Sequence, residues 1–230
     1  LSVIRGKLPR GHDRARGPLT GKLIMLLLEP DAREFLIKEG SNKEFGARPL
    51  RRAIENQIED PLSEELLKGE FQGYEHLGFA PLFGHHYSHV WVDFRGITDA
   101  YMAERGLDYF ENSRRATLAQ RAYAVENPAG WRGYGPDLWG LTACDGPVSG
   151  SFTIDDTARV FNTYWARGAS FTWINDDGTI APAAAGGSIA FAPEIVVPAL
   201  MKMRETYGEN LFSTYGFLDA FNPTFRLDVP

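Results

Sequence analysis

LFGHHYSHVWVDFRGITDAYMAERGLDYFENSRRATLAQRAY, residues 82–123, is the stretch on which the chain is organised. Three histidines fall in five positions (His85, His86, His89). Trp91, Asp93, Arg95 and Asp99 follow within ten residues, and a long helical run begins near Tyr109. Aromatic faces stack on the apolar faces of sugar rings, while carboxylates and guanidinium groups hydrogen-bond hydroxyls. So many polar groups are costly to bury without partners. Residue types alone leave two readings open: a polar cleft, or a helix edge whose polar groups satisfy one another.

Pro81 to Gly96 resembles the signature Pro-Leu-Phe-x-His-Gln-Tyr-Ser-His-x-Trp-x-Asp-Phe-Arg-Gly of the glycoamylase-like family, the bacterial group that includes endo-β-1,2-glucanases. His86 stands where glutamine is usual. The resemblance continues, in order, through DYFENSRRATLAQRAYA (108–124), GYGPDLWGLTACDGP (133–147), DDGTIAPAAAGGSIAFAPE (176–194) and YGFLDAFNP (215–223). It implies a mainly α fold, an incomplete (α/α)6 toroid whose end loops form a substrate cleft. Cys144, Ala183 and Ala190 are further departures from the family pattern.

The composition, 43% apolar and 23% charged, is that of an ordinary globular protein. A net charge of −6 argues against a nucleic-acid surface. LIMLLLEP (23–30) is too short a run for a membrane span, and Cys144 alone forms no internal disulfide. No cofactor or metal is expected. No secretory signal is visible and the chain begins at Leu1, so the compartment stays open. Lack of a leader points to the cytoplasm, and the hydrolase resemblance points to the periplasm or secretion.

The averages hide a break. Residues 1–73 carry thirteen basic and twelve acidic side chains, and residues 74–230 eleven and eighteen. Phe35, Phe45 and Phe71 are the only aromatics before residue 74; every Trp and Tyr comes later. Three segments are expected: 1–30 poorly ordered, 31–73 a small helical unit, and 74–230 the main domain. Residues 1–20 lack any period and are rich in Arg, Gly and Pro. The Gly17–Lys22 segment is one residue short of a phosphate loop, with Leu23 in place of Ser or Thr, and is rejected as one.

Asp31 suits the start of a helix with Ala32, Phe35 and Leu36 inward, ended by Gly40 and Asn42. Pro49 suits the first turn of the next, with Leu50, Ala53, Ile54 and Ile58 at helical spacing. LSEELLK (62–68) reads as a third helix. EFGARPLRRAIENQIEDPLSEELLKGEF (44–71) resembles the small carboxy-terminal subdomain of Clp-type AAA+ unfoldases. That resemblance implies that Arg48 matches an arginine reaching ATP phosphates in a complete motor. Without a phosphate loop here, ATPase activity of this chain is not expected.

In the carboxy-terminal part, Pro128 and Gly130 are read as breaking the long helix. Trp131 and Trp139 lie in a loop, as sugar platforms or as lids on the core. Asp145 sits on a turn, facing a cleft or closed on its own backbone. A helix is expected over 194–207, stopped by Gly208, with Met201 and Met203 in the core. The family match favours a bent segment that sets His85, His89, Asp93, Arg95 and Trp139 along one wall, with Asp145 facing it. Trp91 and Asp219 join them as substrate-binding candidates. Asp93 and Asp145 are the candidate catalytic acids; alternatively, Asp93 and Arg95 form a structural pair.

The functional expectation is a glycoside hydrolase-type protein whose partner is a β-glucan or oligosaccharide, β-1,2-linked by family resemblance. Catalysis is doubtful, because the family's earlier helices, suspected to carry the acid, have no match before Pro81. The alternatives are a carbohydrate-binding remnant and a Clp-type interaction subdomain with a passenger. A partial ring exposes apolar surface, so self-association is also expected.

Overall fold

The computed structural model describes residues 3–4, 25–26, 30–40, 48–59 and 68–225. The expectations for residues 5–20, the Gly17–Lys22 segment, Asn42 and the helix over 62–67 lie outside them. The chain divides into two compact units, Leu1–Leu66 and Leu67–Pro230.

In the first unit, strands β1 (Val3–Ile4) and β2 (Met25–Leu26) pair antiparallel. Helix α1 spans Pro30–Gly40 with Asp31 in its first turn and Lys38 in its last, as the helix dipole favours. Leu36 is buried, whereas Phe35, expected inward, is exposed. Helix α2 (Arg48–Ile54) has Pro49 in its first turn and continues as a π turn through Glu59. Arg51 pairs with Glu55 one turn on, at 2.9 Å.

The second unit opens with a hairpin, β3 (Lys68–Phe71) and β4 (Tyr74–Leu77). Lys68, read as the end of a helix, opens this strand instead. Gln72 and Gly73 form its two-residue turn with φ of 54° and 80°, the geometry that matches strand twist. The compositional break near Gly73 thus falls on a hairpin turn. Phe71 packs against Tyr123, with ring centroids 6.0 Å apart.

Helix α3 (Phe83–His86) runs into a 3-10 turn (Tyr87–Val90), and α4 (Ala100–Glu104) follows. The long helix α5 (Tyr109–Glu126) is the spine. Asp108 caps its start, accepting from Glu111 N at 2.7 Å, and Asn127 ends it in the left-handed conformation at φ 47°. The helix stops there, one residue before Pro128. Its buried face is small and polar (Asn112, Ser113, Ala116, Thr117, Ala119, Gln120). Gln120 uses its whole amide: Nε2 donates to Ala80 O and Leu141 O, and Oε1 accepts from Leu141 N.

Short antiparallel ribbons then alternate with loops: β5 (Ala143–Cys144) with β8 (Trp165–Ala166), β6 (Gly150–Ile154) with β7 (Thr157–Phe161), and β9 (Gly168–Ala169) with β10 (Ile174–Asn175). Gly168 passes so close to Ala80 that a Cβ would collide with its carbonyl. Helix α6 (Pro182–Gly187) leads to α7 (Pro193–Leu211), which passes through Gly208 rather than stopping there. Strands β11 (Phe212–Ser213) and β12 (Gly216–Phe217) close the unit.

The core lies between α5, α6 and α7. Leu82, Trp139, Ile180, Val196, Met203 and Leu211 fill it. Met203 is buried as expected, but Met201 is exposed. Helices carry the unit and the ribbons between them were not anticipated. No helix among the described residues is long and apolar enough to cross a membrane.

Candidate functional site

The turn after β4 is pinned onto α5 by its histidines. His85 is buried. Its Nε2 lies 3.0 Å from Phe79 O, and its Nδ1 lies 3.4 Å from Asn112 Nδ2. His89 Nε2 lies 3.1 Å from Ser113 Oγ. Ser113 gives its one proton to a backbone carbonyl, of His85 or of Tyr109, so the His89 N–H is the donor here. His86 stacks on Phe191 at 5.0 Å between centroids. Burial lowers all of these histidines below the ordinary imidazole value, His85 to about 3 and His86 to about 4.

Beyond them the chain turns outward. Asp93 accepts from Arg95 Nη1 at 3.1 Å and from Arg95 N at 3.2 Å, both side chains being exposed. The Arg95 guanidinium also lies 4.5 Å over the Phe110 ring. His89, Trp91, Asp93 and Arg95 therefore share an open cleft of about 310 Å³, closed below by Phe110 and Phe191. Trp91 is 79% exposed, an indole with no apolar burial to account for it.

Other expected members of this wall lie elsewhere. Trp139 is fully buried among Leu82, Ile180 and Val196, and so is part of the core. Burying so large an apolar surface is a gain for the fold, and the neighbouring Gly140 lies against Ala181, Ala184 and Ala185 at α6. Trp131 is likewise buried, tilted against Phe161 and covered by the Arg159 guanidinium. His85 lines a neighbouring apolar pocket of about 330 Å³ with Phe79, Phe94 and Tyr109.

Asp145 does not face the His89–Arg95 cleft. It joins Asp219 in a separate cleft of about 360 Å³, where Asp219 accepts from Asp145 N at 2.7 Å. Thr179, Asn222 and Phe225 complete that lining. In the first unit, Arg48 opens α2 beside a hollow of about 560 Å³ shared with Glu39, Arg52 and Asn56. Among the described residues no three His, Cys, Asp or Glu side chains gather as a cation site.

Three groups escaped the sequence reading. Phe110 and Phe191 floor the first cleft; both lie inside motifs noted above, but nothing in their spacing marked them as cleft residues. Buried Arg167 forks onto Asp177 at 2.7 and 2.8 Å and also donates to the carbonyls of Cys144 and Asn162. Asp176 accepts from the hydroxyls of Tyr123 (2.8 Å) and Tyr134 (2.6 Å). Burial pushes the Asp176 carboxyl and both phenols upward. These networks fasten the loops behind the Asp145–Asp219 cleft.

Two family models match this chain. Residues 48–229 match the Glycoamylase family model, described as "Putative glucoamylase". Residues 13–77 match the model for the C-terminal, D2-small domain of ClpB protein. An exo beta-1,2-glucooligosaccharide sophorohydrolase of Parabacteroides distasonis is 35% identical over 144 residues, 63% of this chain and 17% of that protein. The endo-beta-1,2-glucanase of Chitinophaga pinensis, solved with sophorotriose and glucose, is 31% identical with a TM-score of 0.55. The match covers 69% of this chain and 35% of that one. The chaperone protein ClpB of Rhizobium meliloti is 49% identical over 59 residues, 26% of this chain and 7% of its own length. The chain therefore spans well under half of each relative.

Proposed function

Because this chain belongs to the Glycoamylase family, we propose that its second unit is a portion of an α/α toroid that binds β-1,2-linked glucan. The single observation that carries the location is the exposed Trp91 beside His89, Asp93 and Arg95 in one open cleft. The indole offers a face for a glucose ring. The Asp93 carboxylate accepts from sugar hydroxyls, and the Arg95 guanidinium paired with it donates to them.

Hydrolysis needs two carboxyl groups flanking one bond, about 5–9.5 Å apart depending on the stereochemical outcome. Asp93 and Asp145, the two candidate acids, line different clefts. In our reading glucan binding belongs to this chain, and catalysis needs polypeptide that the longer relatives carry. A carbohydrate-binding role without catalysis is the form of this reading that Trp91 favours.

Calorimetry with β-1,2-glucan oligosaccharides tests it. The unaltered chain should bind, Trp91→Ala should weaken binding about tenfold, in line with a stacking loss of about 1.4 kcal/mol, and Asp93→Asn should also weaken it. Reducing-sugar release should stay at background. If Asp219→Asn abolishes binding while the Trp91 and Asp93 changes leave it intact, the other cleft is the site.

A further inference from the structure

Four of the five histidines in the sequence, His76, His85, His86 and His89, crowd around the first half of α5. His85 is wired so that it holds no second proton. Leu77 N donates to Asn112 Oδ1 at 2.8 Å, which fixes which way the Asn112 amide points. Asn112 Nδ2 therefore presents its hydrogens to His85 Nδ1, and His85 Nε2 donates to Phe79 O. A proton on Nδ1 would meet an N–H, and turning the amide over would leave Leu77 N without its acceptor.

The ionisable groups acting on His85 are His76 from β4 and His86 and His89 from its own turn; each disfavours a charge there. From α5 it meets neutral Asn112 and Ser113. Arg115 of α5 acts on His76. Asp93, Asp108 and Arg95 act on His89.

We propose that His85 is an acid-sensitive latch: a proton on its Nδ1 releases the turn of residues 83–94 from α5 while α7 stays folded. Residues 80–82 are separately anchored, through Gln120 to Ala80 O and Leu82 N to Leu141 O. Past them, Phe83, Tyr87, Val90, Trp91 and Val92 are exposed, so little apolar burial holds the turn down. Its attachments to α5 are the histidine contacts and the Phe94 ring on His89 and Tyr109, while Phe83 rests edge-on against Phe79 of the preceding loop.

The sign follows from linkage. The closed turn holds His85 neutral down to about pH 3 and His86 to about 4, whereas the opened turn titrates near the ordinary value of 6.5. The closed state has its full advantage above pH 6.5 and loses it as pH falls toward those lower values. Each such histidine makes opening about tenfold easier per pH unit in that window. The inference does not rest on sugar binding.

Hydrogen exchange on the full chain from pH 7 to 4, corrected for intrinsic rates, tests it alongside the ¹⁵N shifts of the His85 ring. Protection over 83–94 should fall at least tenfold per unit below pH 6 and recover on return to pH 7, while 193–211 stays protected. The ring should remain a neutral Nε2–H tautomer until protection is lost. Asn112→Asp keeps the acceptor for Leu77 N and sets a carboxylate oxygen against His85 Nδ1. It should remove the share of His85, so that protection falls less steeply, about tenfold per unit through His86 alone. Flat protection over 83–94, simultaneous loss over 193–211, or an equally steep fall in Asn112→Asp would overturn the latch. Should that variant not fold, the exchange and ring data on the unaltered chain decide alone.

Discussion

Arg167 shows how much one side chain holds and how little the sequence says about it. It is fully buried, with Asp177 equally buried against it. Asp177 also accepts from Asn162 N and Thr179 N, so the pair joins two loops. Arg167→Met leaves a carboxylate buried with no cation, which costs about 3–5 kcal/mol. Urea unfolding should show the midpoint fall accordingly. Arg167→Lys, which keeps charge but loses the fork, should lie between. Nothing marked Arg167 in advance, because it lies in 148–173, where the family motifs thin out and the pairing spans loops. Trp139 shows the opposite limit: its type suited a sugar platform or a core lid equally, and only its burial in the cluster with Leu82, Ile180 and Val196 decides. Asp93 and Arg95 were legible as a pair, since two positions apart on a bend brings the groups together.

At the scale of elements, the run beginning near Tyr109, the break before Pro128 and Pro49 in the first turn of α2 were legible, but the caps of α5, Asp108 and Asn127, were not read from the sequence. Stops chosen on Gly alone were less secure. Helix α7 passes Gly208 because Leu211 is buried beyond it and Tyr207 packs on Phe221 at 4.7 Å, outweighing the roughly 1 kcal/mol that Gly costs a helix. The β6–β7 hairpin carried a signal that went unread: SFTI-Asp155-Asp156-TARVF places two Asp residues, at φ 50° and 58°, between strand-like runs. Pro198 lies inside α7 on its exposed side, where it removes a helical hydrogen bond and presses on the preceding turn. Pro198→Ala should stabilise the second unit by about 2 kcal/mol, the helical gain of about 3 being reduced by up to about 1 by the looser unfolded chain. A raised urea midpoint with unchanged glucan affinity is the expected result.

For the whole molecule, the two resemblances were legible because each rests on a string of motifs in order. The depth of each site was not, because it depends on which loops meet. The second unit carries an unusual surface for its size. Tyr87, Val90 and Trp91, 69%, 71% and 79% exposed, stand within five residues, flanked by Phe83 and Val92. Contiguous exposed apolar groups on a globular unit mark a surface that gains from being covered. The chain accounts for 35% of the Chitinophaga pinensis enzyme, so the same fold there is part of a much larger packed body. We propose that a second copy of the chain covers this apolar strip. Sedimentation velocity should show the weight-average mass rising with concentration in the micromolar range. Tyr87→Glu combined with Val90→Glu should return the chain to a monomer, because two charges would be desolvated at the contact. A monomer at every concentration, or association untouched by that double change, would mean that the strip is simply solvated.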